Sequence, residues 1–443
     1  MSDTWLWMTA SDLGREIEAR AIDPRELTEV YLAAIDSHPE GPGIYARATP
    51  ERARAEAAAA ADGATAGLRR SALDGVPISW KDLVDTAGIA TEAGSALLRG
   101  RVPERDAAVL ATATRAGLVC LGKTHLTEFA FTILGLNPVT ATPPNINDPE
   151  VVPGGSSSGA AASVAFGLAA AGIGSDTAGS VRVPAAWNDL VGLKTSHGLV
   201  PLTGVVPLRP NFDTVGPICR SVEDAALTLA ALVGHPAPDL KGARIESLRL
   251  LVLEDPETLP CREGPQSAFD AATERLAAAG AHIERDRVAA AGSALALAPV
   301  LAPAEAWGTW RHEIEARPEL MFAPVRDRFR GGAAVLASDY LAALRELDRL
   351  RAAWRDATAA FDAVLLPTTA SLPPNVDRLL ADHSYFTSEN LLALRNTHVG
   401  SLLGLCAISL PTGIPCCGLM AMAPGGEDAR LLRIGAALER ALA

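Results

Sequence analysis

Between Pro153 and Pro184 the chain runs Pro-Gly-Gly-Ser-Ser-Ser-Gly, then an Ala-rich apolar stretch, then Gly-Ser-Asp-Thr-Ala-Gly-Ser-Val-Arg-Val-Pro. This pattern sets two hydroxyl clusters on small-residue backbone at either end of one short helix. Ser156, Ser157 and Ser158 form the first, and Ser180 centres the second. No large side chain intervenes at Thr177, Ala178 or Gly179, so several backbone N–H groups there can turn toward one point and hold an anion. A Gly/Ser linker has a similar composition. Linkers do not bury apolar residues, however, and Val164, Phe166, Leu168 and Ile173 recur between the clusters at core-like spacing.

A serine hydroxyl is a weak nucleophile until a base stands beside it. Upstream, in Asp-Gly-Val-Pro-Ile-Ser-Trp-Lys-Asp (Asp74 to Asp82), Lys81 follows an apolar run that reads as a buried strand. Most lysines are solvated surface charges. At the end of such a strand, desolvation lowers a lysine from about 10.4 toward neutrality, and a neutral amine serves as a general base.

These segments resemble the amidase signature family: Lys81 in Gly-Val-Pro-Ile-x-x-Lys-Asp, Ser156 in Gly-Gly-Ser-Ser-Ser-Gly, Ser180 in Gly-Ser-Asp-Thr-Ala-Gly-Ser, and Val191 to Thr195 beyond. The similarity continues through Phe212 to Pro217, Phe361 to Thr369 and Leu405 to Pro415, so it covers about residues 10 to 440. The spacings also suit the family, at 156 − 81 = 75 and 180 − 156 = 24 residues. The resemblance implies an α/β fold: a large mixed, mainly parallel sheet covered by helices on both faces, in one domain over 1–443. Its signature core lies at about 70–225 and a variable pocket-covering segment at about 235–345, joined over the pocket by Thr127 to Pro143.

The same resemblance implies a Ser-cis-Ser-Lys triad with a cis peptide between Gly155 and Ser156. Neutral Lys81 takes a proton from Ser156, which takes one from Ser180 as that oxygen attacks an amide carbonyl. The N–H groups of Thr177, Ala178, Gly179 and Ser180 are the implied oxyanion donors. Ala130, Phe131 and Ser157 are the implied substrate contacts. Ala178 and Ser158 replace the more usual glycines, and alanine disfavours φ > 0, so the loop is expected to keep φ negative at Ala178 or to store strain there. Asp176 and Arg182 flank the loop, and a bracing ion pair is the expected role, with substrate orientation as the alternative.

Other motifs compete. Gly117-Leu-Val-Cys-Leu-Gly-Lys-Thr124 matches a phosphate-binding loop, but a helical run precedes it and its interior reads as the strand itself. Gly155 to Gly159 matches the nucleophile elbow of α/β-hydrolases, which would make an esterase with Ser157 as nucleophile. The preceding Asp148 to Pro153 is proline-broken, which disfavours the strand an elbow needs. The glutaminase subunit of a tRNA amidotransferase is the rival within the family. Against it stand Asn211-Phe-Asp-Thr-Val-Gly-Pro and Ser338-Asp-Tyr-Leu-Ala-Ala343, where that subfamily carries different sequences. A catalytically silent scaffold on the same fold is a further alternative. The eight histidines show no paired ligand spacing, so no metal is expected, and the family chemistry needs no cofactor.

A net charge of −13 disfavours phosphate-backbone binding, so a small-molecule substrate fits better than nucleic acid, and the resemblance implies that it is an amide. Apolar runs are interrupted before membrane-spanning length. The amino terminus lacks a secretory pattern, and the six cysteines have no framework spacing, which together read as cytoplasmic. A homodimer is left open. Strands are expected at 76–80, 118–121, 170–175, 248–253, 363–366 and 417–422, alternating with helices, with long helices at 335–361 and 427–442. Trp307, Trp310, Phe322 and Phe329 read as core aromatics. The expected activity is hydrolysis of a small carboxamide to an acid plus ammonia or an amine.

Overall fold

The computed structural model describes residues 2–255 and 257–443. Among them eleven strands form one sheet: β1 (Tyr45–Ala48), β2 (Pro77–Lys81), β3 (Val119–Thr124), β4 (Ala171–Ser175), β5 (Val191–Lys194), β6 (Val215–Cys219), β7 (Arg249–Leu253), β8 (His282–Asp286), β9 (Ala363–Pro367), β10 (Cys406–Pro411) and β11 (Gly418–Ala423). Their spatial order is β1-β3-β2-β4-β6-β5-β10-β11-β9-β7-β8. The sheet is mixed, as expected, but it is not mainly parallel. Four neighbouring pairs are parallel, β2·β3, β2·β4, β7·β8 and β7·β9, and the other six are antiparallel.

The imbalance comes from strands that alternation does not reveal. Five of the six antiparallel pairs involve β1, β5, β6 or β10, none of which sequence patterning marks. β6 carries Gly216 and Pro217 inside a central strand, a composition that argues against one. β10 and β11 are joined by a short turn, and a short connection permits only antiparallel pairing. The six strands foreseen from the sequence all form, within a residue or two at most boundaries.

Side chains alternate across a strand, and here successive residues enter different cores. Leu250 and Val252 of β7, Leu365 of β9 and Leu419 and Ala421 of β11 join one apolar cluster. Leu251 and Leu253, Val364 and Leu366, and Met420 and Met422 join another. The first is closed by helices Glu263–Ala278 and Asp428–Leu442, and the second by Ala289–Ala316, Ala337–Thr358 and His383–Leu402. Helices therefore cover both faces. The helix Ala289–Ala316 is long and apolar enough by composition to cross a membrane, which the sequence reading did not expect. Its Ala290, Ala291, Ala294 and Leu301 are buried against the second core, and 33% of its apolar stretch is buried within the fold.

The pairing β3-β2-β4 carries the chemistry. β2 is buried at all five positions and parallel to β4, with Trp80 beside Ile173, so Lys81 and Ser175 emerge from the same edge of the sheet. In open α/β sheets this carboxyl edge is where ligands bind. Helix Ser158–Ala165 lies on these strands and brings Ser156 and Ser157, which precede it, to the same edge. The close approach requires Gly172 of β4, because a Cβ there would sit 2.5 Å from the Ala160 carbonyl oxygen. Gly172→Ala should push the helix off the sheet and destabilise the protein by about 1–3 kcal/mol. Urea denaturation should show a lower midpoint at unchanged m-value, and an unshifted midpoint would contradict this packing account.

Candidate active site

Lys81 is fully buried, and its Nζ meets three hydroxyls: Ser156 Oγ at 2.7 Å, Ser175 Oγ at 2.9 Å and Ser157 Oγ at 3.0 Å. It forms no ion pair among the described residues. Burial lowers its pKa to about 7, while the more distant charges of Asp176 and Asp213 pull the other way. The peptide between Gly155 and Ser156 is cis.

Past Ser175 the chain turns sharply through Asp176 to Ser180. The buried Asp176 carboxylate organises this turn by accepting N–H bonds from Gly179 at 2.7 Å and Val181 at 3.2 Å, and from Arg182 Nε and Nη2, both at 2.9 Å. Burial alone would raise this carboxyl. The Arg182 charge and hydrogen bonds outweigh that and hold it below the ordinary range. Arg182, equally buried, also donates to the Thr397 carbonyl at 2.8 Å and to Ser401 Oγ at 2.9 Å, which pins the loop to helix His383–Leu402. The pair braces the loop and does not border the cleft in front of Ser180. Gly179 has φ 142°, and a Cβ there would sit 2.1 Å from Thr397 Oγ1, so only glycine fits.

This geometry narrows the expected anion trap. The Gly179 N–H is committed to Asp176, so Gly179 is not a free donor. Among the described residues the N–H groups of Thr177, Ala178 and Ser180 have no hydrogen-bond acceptor within the protein. Ala178 keeps a negative φ, the conformation alanine favours.

Ser180 opens onto a narrow cleft that Ala130 and Phe131 also line. The expected contact Ser157 is absent from it. Ser157 is buried, its Oγ donates to the Ser175 carbonyl at 3.2 Å and its N–H donates to the Ser180 carbonyl at 3.2 Å, so it supports the site from behind. No strand leads into it, which also removes the elbow reading. Lys123 of the apparent phosphate loop lies in β3, buried and bonded to Asp82 at 3.1 Å. From the pocket-covering segment, Ala302 and Arg328 reach the cleft. Trp307, Trp310, Phe322 and Phe329 do not line it. Phe329 and Trp310 instead pack behind Phe131 and Phe129, with ring centroids 4.4 Å and 4.6 Å apart.

Known proteins are similar to this chain along most of its length. The Amidase family model matches residues 26–432. The chain belongs to the amidase family. A 2-amino-5-chloromuconic acid deaminase of Comamonas testosteroni is 35% identical over 449 residues, covering 98% of this amidase and 96% of that relative. The A-type subunit of a glutamyl-tRNA(Gln) amidotransferase from Anaeromyxobacter dehalogenans (strain 2CP-C) is 32% identical, with 97% and 95% covered. A solved structure described only as an amidase superposes with a TM-score of 0.88 at 30% identity, covering 98% of this chain and 99% of the other.

Several residues of this amidase site escape sequence reasoning. The Ser175 hydroxyl accepts from Lys81 and the Thr397 hydroxyl donates to the Ala178 carbonyl of the loop, while Arg209, Arg328 and His398 border the cleft from three separate segments. Only the unusual burial of such polar residues marks them, and burial is visible only in the fold. The bracing pair yields a direct test. Arg182→Met strands Asp176 as an unpaired buried charge and should destabilise by about 3–5 kcal/mol. Chemical denaturation measures this, and a loss under about 1 kcal/mol, the range of exposed pairs, would refute the assignment.

Proposed function

We propose that this amidase hydrolyses the C–N bond of a small carboxamide through an acyl-enzyme on Ser180, with Ser156 relaying protons to Lys81. The observation that carries the reading is the buried Lys81 amine in contact with hydroxyls and no carboxylate. A neutral amine has two N–H groups and one lone pair, so one of its three hydroxyl neighbours must donate to it. Ser157 directs its hydrogen to the Ser175 carbonyl. The lone pair therefore faces Ser156 or Ser175, and Ser156 is nearer. Taking the Ser156 proton frees that oxygen to accept one from Ser180 during attack. The developing oxyanion is held by the N–H groups of Thr177, Ala178 and Ser180, each worth about 3 kcal/mol in the transition state. The ammonium of Lys81 then returns the proton to the leaving nitrogen, and water releases the acid by the reverse relay. The deaminase relative suits release of ammonia from a small molecule. Six unpaired cysteines support a reducing, cytoplasmic setting.

A glutaminase subunit is the second reading, favoured by the amidotransferase relative. Two segments that depart from that subfamily meet in this fold, Asn211 Nδ2 lying 3.3 Å from Tyr340 OH, with Glu305 bonded to both residues. This local difference supports the free hydrolase. Glutaminase activity of the isolated chain exceeding that on other carboxamides would reverse the preference.

Two outcomes test the mechanism. Because Lys81 must be unprotonated and its pKa is lowered to about 7, kcat/KM should climb with pH through about 7 and level off above it. A profile that is flat from pH 5.5 to 8 would exclude Lys81 as the base. Ser180→Ala should lower kcat by roughly 10⁴ or more and abolish labelling by a fluorophosphonate, whereas Ser157→Ala should keep the label on Ser180. Labelling of Ser157 instead would overturn the assignment.

A further inference from the structure

The cleft in front of Ser180 is bordered by two guanidiniums that have no carboxylate in direct contact among the described residues, although the charges of Asp213 and Glu305 act on Arg209 from further off. Arg209 is buried, and its Nη2 donates to the Thr177 carbonyl at 3.2 Å, yet its Nε and Nη1 have no partner. Arg328, from helix Ala323–Arg330, lies over the Phe131 ring at 4.8 Å, and its buried Nε is also without a partner. Neither forms an ion pair among the described residues. The closest acidic groups are engaged elsewhere: Asp213 accepts from Thr177 Oγ1 and from the N–H groups of Leu208 and Arg209, and Glu305 accepts from the Asn211 N–H. His398, which also lines the cleft, adds a third unpartnered polar atom, Nε2. Burial, then the charges of Arg209 and Arg328, lower its pKa well below the usual range and keep the ring neutral. Buried charges are ordinarily paired, because an unpaired one is costly to desolvate. Arg209, buried, and Arg328, half-buried with its Nε out of contact with water, face one small cleft and call for an anion from outside. The other walls include Phe131, Ile133, Leu208 and Leu394, which offer apolar contact to a hydrocarbon spacer.

We propose that the substrate is the monoamide of a short dicarboxylic acid, whose free carboxylate is held between Arg209 and Arg328 while its carboxamide reaches Ser180. The planar guanidinium fork matches a carboxylate, which it can bind through two parallel N–H bonds. The inference rests on the acyl-enzyme reading for its carboxamide end, and its carboxylate end stands on the two arginines alone.

The wild-type enzyme should hydrolyse glutaramate, the monoamide of glutarate, on the order of 100-fold faster in kcat/KM than pentanamide, and Arg328→Met should erase that ratio. Arg328 is the better probe, since Arg209 also bonds to the oxyanion loop. Independently, glutarate should bind to Ser180→Ala protein in calorimetry, and binding should weaken on the order of 100-fold when Arg328→Met is added. Equal rates on the two amides without glutarate binding would overturn the carboxylate clamp and leave amide hydrolysis standing. Arg328-dependent glutarate binding by a protein that cleaves no amide and takes no label at Ser180 would support the clamp and overturn the acyl-enzyme reading. A preference for the phosphonate analogue over glutarate would overturn the carboxylate assignment.

Discussion

An amine withdrawn from water with no carboxylate to neutralise it is the constraint around which this site is built. Three lysines are buried near the sheet, and their partners decide their character. Lys123 has the Asp82 carboxylate at 3.1 Å. Lys194 donates to the Thr195 and Leu405 carbonyls, and burial lowers it to about 8. Lys81 has only hydroxyls and falls to about 7. Against its ordinary value of 10.5, that corresponds to roughly 5 kcal/mol of disfavoured ammonium. Such a group is tolerable only where strands packed on every side prevent it from reaching water, which β2 between β3 and β4 provides.

The second requirement is a loop rigid enough to hold N–H donors with no acceptor in the resting protein. Asp176 supplies it by drawing Gly179, Val181 and Arg182 around one carboxylate, and Arg182 extends the brace to Thr397 and Ser401. The cost of burying this ion pair is offset by the number of hydrogen bonds that satisfy both partners. The Gly179 N–H is thereby committed to Asp176 and fixes the directions of its neighbours.

How much of this was legible in the sequence follows from how local each signal is. Lys81 at the end of an apolar run, two small-residue serine clusters and the Asp176/Arg182 flanks are all contiguous patterns, and the fold brings Lys81 against Ser156 and Arg182 against Asp176. Helix caps are equally local features: Thr9 accepts from the Asp12 N–H and Asp23 from the Arg25 N–H. Pairing direction was not readable, because β6 and β10 belong to the sheet through partners far away in sequence rather than through their own composition. Arg209, Arg328 and His398 were invisible for the same reason. In the chain each is an ordinary polar residue, and only the fold brings them to one cleft.

The cleft wall that carries Phe131 shows how binding surface and scaffold are linked. Phe129 and Ala130 both adopt positive φ, 49° and 58°, a conformation that disfavours residues with a Cβ by roughly 1–2 kcal/mol each. Contacts on either side hold the turn. The Phe129 N–H donates to the Ala93 carbonyl, and the buried Glu128 accepts from Ser95 Oγ at 2.7 Å and from the Phe322 N–H at 2.9 Å. Phe322 caps the helix that presents Arg328, and Arg328 lies over the ring of Phe131. The strained turn, the aromatic wall and one of the two guanidiniums thus form a single packed unit anchored by one buried glutamate. Burial raises that glutamate to about 7, and its two hydrogen bonds fix where the cleft's charge sits relative to Ser180. The buried Lys81 and the serines around it are held by strand ends and the Asp176 loop, whereas the cleft wall that carries Arg328 is held by helices from a different part of the chain. This division lets the wall be rebuilt for another amide without disturbing the buried amine.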